Sequence, residues 1–75
     1  MTKGFKAIAQ RMVNAEKAMI ETLMNLASLP EAEAREAFVT LVKVKALKLD
    51  AVNGRYLVTH GAFMEPDVIR RAAGQ

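Results

Sequence analysis

The sequence predicts a small α+β domain, mainly helical: two antiparallel helices, a β-hairpin and a short C-terminal helix. Three observations carry that prediction. Apolar residues recur at helical spacing from Phe5 to Leu26 with no Gly or Pro between them. Leu29-Pro30 then punctuates the chain, because proline disfavours a helical residue before it. Asn53-Gly54, two residues that tolerate positive φ, lies between two segments of alternating polarity and signals a hairpin.

The first helix is expected over residues 5–28. Phe5, Ile8, Met12, Ala15, Met19 and Leu26 fall at three- and four-residue steps, with Thr22 in the remaining place. A second stripe runs through Ala9, Val13, Ile20, Leu23 and Ala27, and Lys3, Lys6, Gln10, Asn14, Lys17, Glu21 and Asn25 occupy the opposite face. The second helix is expected over 30–46, with Ser28 as its cap, Glu31 in the capping-box position and Pro30 early in the helix, where its missing N–H costs nothing. Its acids Glu31, Glu33 and Glu36 come first and Lys43 and Lys45 last, an order that suits the helix dipole. The alternation Val42-Lys43-Val44-Lys45 allows an earlier helix end.

The hairpin is expected over 47–60. A two-residue loop places Leu49 opposite Val58, Ala51 opposite Tyr56 and Leu47 opposite His60. One face then holds Leu47, Leu49, Ala51, Tyr56, Val58 and His60; Lys48, Asp50, Val52, Arg55, Leu57 and Thr59 share the other. Beyond Gly61, Phe63 and Met64 fold back on the core, and a short helix runs from Glu65-Pro66-Asp67 to about Ala73, closed by Gly74. The 75 residues form one small domain, 1–75, for which oligomerisation is the available staple, since the chain has no cysteine.

Composition argues against several function classes. Without cysteine, and with His60 as the single histidine, the chain has no thiolate or histidine-rich metal site. Ser28 is the only serine and is explained as a cap, no pair of carboxylates lies in an apolar setting, and Gly4, Gly54, Gly61 and Gly74 are turn punctuation rather than a phosphate loop. A non-enzymatic protein without cofactor is expected. His60 reads as a half-buried residue closing the hairpin. No apolar run approaches the roughly 18 residues of a membrane span, and no secretory h-region follows the basic N-terminus, so a cytoplasmic protein is expected.

Two features point to partners. Lys43, Lys45, Lys48 and Arg55 gather at the end of the second helix and on the hairpin, as a patch for nucleic-acid phosphates would require. The order helix, helix, hairpin over residues 30–60 is similar in outline to the end of a winged helix-turn-helix domain, in which a helix precedes a two-stranded wing. That likeness implies duplex DNA as a partner. Such a domain usually has three helices before its wing, where this chain has two, and here Glu31, Glu33 and Glu36 crowd the half of the helix that would meet base edges.

The second feature is the length of the first helix. Its 24 residues span about 36 Å, whereas a compact domain of this size is roughly 30 Å across. Part of its apolar stripe is therefore expected to bury against another molecule, through Met12, Met19, Leu23 and Leu26. The leading expectation is a small dimeric DNA-binding regulator or accessory protein. The alternative is a protein-interaction module, an adaptor or small inhibitor, that docks this stripe in a partner groove.

Overall fold

The computed structural model describes the backbone of residues 2–74 and the side chains of residues 9–74. Helix α1 (Thr2–Ala27) is followed by α2 (Glu31–Lys43), strands β1 (Leu47–Asp50) and β2 (Arg55–Val58), a 3₁₀ turn (Gly61–Met64) and α3 (Pro66–Ala72). The two strands form an antiparallel sheet. The fold is thus α+β and mainly helical, with one hairpin.

Both long helices stop in the same way. Ser28 (φ 54°) and Lys45 (φ 66°) adopt the left-handed conformation just past the last helical turns. After α1, the Leu29 amide donates to the Met24 carbonyl at 3.1 Å; after α2, the Ala46 amide donates to Leu41 at 2.8 Å and the Lys45 amide to Val42 at 3.1 Å. These reversals satisfy carbonyls that a helix end leaves orphaned, and each buries the residue that follows, Leu29 and Ala46. Ser28 therefore terminates α1 and does not cap α2, whose cap is Pro30 with no side-chain hydrogen bond. α2 also ends at Lys43, before the expected 46, because the alternating residues beyond it turn into the approach to β1.

The core is built from one face of each helix. Ile20, Leu23 and Ala27 of α1 meet Ala34, Ala37, Phe38 and Leu41 of α2, and Leu47, Ile69 and Ala73 close it. Ala34 and Ala37 are fully buried, and their small side chains let the helices approach closely. Phe63 and Met64 pack on this cluster from the 3₁₀ turn, as expected. The Arg70 guanidinium donates through Nε to the Ala27 carbonyl at 3.2 Å, so a cation of α3 covers the negative end of α1.

The hairpin lies along α1. Tyr56 meets Phe38 edge to face at 4.9 Å, and a Cβ built on Gly54 would lie 3.4 Å from Cβ and Cγ of Arg11. The molecule measures 43 × 23 × 17 Å. Its long axis is close to the roughly 39 Å that 26 helical residues span, so α1 runs almost the full length of the molecule. No helix among the described residues is long and apolar enough to cross a membrane.

Candidate nucleic-acid interface

The register of the hairpin differs from the expected one. Leu47 pairs with Val58, Lys48 with Leu57, Leu49 with Tyr56 and Asp50 with Arg55. The loop is Ala51–Gly54, four residues rather than two. A two-residue type I′ turn needs positive φ at both central residues. Here Gly54 has φ 65° while Asn53 does not share that conformation. Asp50 decides the matter: its Oδ2 accepts from the Asn53 side-chain amide at 2.6 Å and its Oδ1 from the Asn53 backbone amide at 3.3 Å. The Asn53 hydrogen bonds, with Arg55 beside them, hold the Asp50 carboxyl below the usual value of 3.8. The pairing moved by two residues, so the faces were preserved. Leu47, Leu49, Tyr56 and Val58 share the side toward the helices, and Lys48, Asp50, Arg55 and Leu57 share the outer side.

Local structure fixes the four candidate cations. Lys43 lies in the last turn of α2. The left-handed backbone at Lys45 turns the chain into β1, and the Thr59 hydroxyl locks that turn by donating to the Lys45 carbonyl at 2.9 Å. Lys48 stands in the middle of β1 on the outer face, and Arg55 opens β2 on the same face. All four are exposed. Among the described residues, no ion pair involves Lys43, Lys45 or Lys48. Arg55 differs: its Nε lies 3.9 Å from Oδ2 of Asp50, directly across the ladder. That contact is long and exposed, yet it places a carboxylate at the one arginine of the hairpin.

The structure brings Lys45 and Lys48 to the rim of one shallow groove of about 480 Å³, with Val42, Leu47, Leu49 and Thr59 completing its lining. Sequence reasoning missed these last four residues as neighbours. Thr59 reaches Lys45 across 14 positions, and no periodicity signals such a contact.

His60 is exposed rather than half-buried. Its Nδ1 accepts from the Ala62 amide at 3.3 Å and its ring stands edge to face on Phe63 at 6.2 Å, so it starts the 3₁₀ turn instead of facing Leu47. The stripe of α1 expected at an interface is divided. Leu23 is 0% exposed within this chain and Met19 packs on the same cluster, while Met12 and Leu26 are each 43% exposed. On the neighbouring face Glu16 pairs with Arg35 at 3.7 Å, and burial together with that glutamate raises the Tyr56 hydroxyl above its ordinary value of 10.0. Among the described residues no polar side chain is buried, and no cluster of three or more His, Cys, Asp or Glu is placed to hold a metal ion.

No known protein family matches the chain, and neither a curated protein nor a solved structure resembles it.

Proposed function

We propose that this chain is a small, non-enzymatic, cytoplasmic DNA-binding accessory protein or regulator that works as a dimer. One observation supports the reading above others: Lys43, Lys45 and Lys48 stand exposed around the α2–β1 junction with no carboxylate partner among the described residues. Lysines of this kind attract phosphates and release counterions when they meet them. Arg55 is a weaker candidate than the sequence suggested, since Asp50 competes for its guanidinium. The chemistry is backbone contact, with base reading left to other residues or absent.

A second reading, a protein-interaction module, is favoured by the apolar lining that Val42, Leu47 and Leu49 give the groove, which phosphates do not require.

Binding to random duplex DNA over a salt series tests the first reading. Micromolar binding that weakens steeply with salt is expected. Lys43→Ala, Lys45→Gly and Lys48→Ala together should reduce the slope of log affinity against log salt by about 0.9 for each phosphate that the variant no longer neutralises. Glycine is chosen at position 45 because its backbone is left-handed. No binding at low salt, or an unchanged slope in the triple variant, refutes the DNA reading and favours the protein partner.

A further inference from the structure

Among the described residues, strand β1 has a strand neighbour on one side only. In an antiparallel pair, residues exchanging both hydrogen bonds alternate with residues exchanging none. The Thr59 amide donates to the Ala46 carbonyl at 2.9 Å, which sets the phase of that alternation. With the observed register, Lys48 and Asp50 direct their peptide groups at β2, and Leu47 and Leu49 direct theirs at the other edge, where Leu47 is buried within the chain and Leu49 is half-buried. That edge borders the groove lined by Val42, Lys45, Leu47, Lys48, Leu49 and Thr59. The unpaired amide and carbonyl of Leu49 are a short template for another strand.

We propose that the occupant of this edge is β1 of a second copy of the chain, joined antiparallel across a two-fold axis at Leu49, so that two hairpins form one four-stranded sheet. Charge selects both the occupant and the register. A two-fold axis at Lys48 sets two lysines directly opposite each other, which is repulsive. An axis at Leu47 sets Lys48 opposite Ala46. An axis at Leu49 sets Lys48 opposite the partner's Asp50, and repeats that pair by symmetry. Lys48 and Asp50 share the outer face, so each meets its opposite charge on the same side of the new sheet. Leu49, half-buried in the single chain, meets its own copy on the inner side. Lys48 thus opposes one of these pairings and favours another. The strand has four residues, so the contact is small and the dimer is reversible. This inference stands without the nucleic-acid reading: it engages Lys48 with a carboxylate in the dimer and leaves phosphate contact to Lys43 and Lys45, and its test contains no nucleic acid.

Sedimentation of the full chain from about 1 μM to about 1 mM should show a monomer–dimer equilibrium. Lys48→Glu removes both symmetric pairs and faces the partner's Asp50, so it should weaken association at least about tenfold. Leu49→Pro removes an amide that no intrachain bond uses, and should abolish the dimer while far-UV circular dichroism keeps its helical signal. In the unmodified chain, protection of the Leu49 amide from exchange should rise with protein concentration, and mixed-label NMR should show contacts between Leu49 residues of different copies. A monomer throughout the range overturns the proposal. A dimer with no concentration-dependent Leu49 protection and no such contacts also overturns it, and moves the interface to the exposed Met12 and Val13 of α1.

Discussion

Two stretches of α1, Ala9–Asn14 and Ala15–Ala27, have the same apolar periodicity and opposite fates. From Ala15 to Ala27, the residues Ala15, Ile20, Leu23 and Ala27 are buried. From Ala9 to Asn14 every side chain is exposed, Met12 and Val13 included. The hairpin tip reaches α1 at Arg11, inside the exposed stretch, without covering Met12 or Val13. Periodicity therefore reports which face of a helix is apolar, whereas the reach of the neighbouring elements decides how much of that face is covered. A helix can exceed the width of its domain without implying a partner over its whole length.

The largest test of this contrast removes a side chain from each stretch. Leu23→Ala leaves a cavity with no solvent access and should cost about 2–5 kcal/mol, while Met12→Ala should change stability by under about 0.5 kcal/mol. Urea denaturation of the two variants measures both; equal losses would erase the distinction. At the hairpin tip, Gly54→Ala puts a side chain on a left-handed backbone, in van der Waals contact with the Arg11 stem, for a loss of about 1 kcal/mol. At the covered end of α1, Ser28→Gly should gain about 0.5–1 kcal/mol, since glycine adopts φ 54° without penalty. A loss there would mean that the serine side chain contributes something its exposed position does not show.

The smallest effect concerns the hairpin's own turn. Asp50 titrates below 3.8 when folded, so its contribution to stability is complete above that value and is lost as pH falls through the lowered folded pKa. The chemical shift of the Asn53 amide should follow this titration, and Asn53→Ala should move its midpoint back toward the ordinary value. An unmoved midpoint would assign the shift to the backbone amides of the turn and to Arg55 instead.

The element order and the faces were legible in the sequence because each rests on local repetition. The hairpin shows this best: its turn lengthened by two residues, and Leu49 found Tyr56 rather than Val58, yet a shift of two leaves every side chain that remains in the ladder on its original side. The helix stops were not legible. Ser28 is a good residue for starting a helix and a poor one for ending it, and only the packing of Leu29 under the last turn of α1 decides between these roles. Of the candidate site, the exposure of the cations could be read from the sequence. Its groove and the Asp50–Arg55 contact could not, since Thr59, Lys45 and the shifted register meet only in three dimensions.

The hydrogen bond from Arg70 to the Ala27 carbonyl spans 43 positions, and it bears on the order in which the chain assembles. α1 and α2 are joined by residues 28–30, so their meeting closes a short loop and costs little chain entropy. Ile69 and Ala73 complete the same core only after the hairpin has been formed or bypassed, at a much longer loop closure. Loop-closure entropy accordingly predicts that α3 docks late in folding. Ile69→Val should leave the folding rate nearly unchanged and raise the unfolding rate, while Ala37→Gly, at the early helix pair, should slow folding. The last helix acts as a latch: it contributes little to finding the fold and much to keeping it.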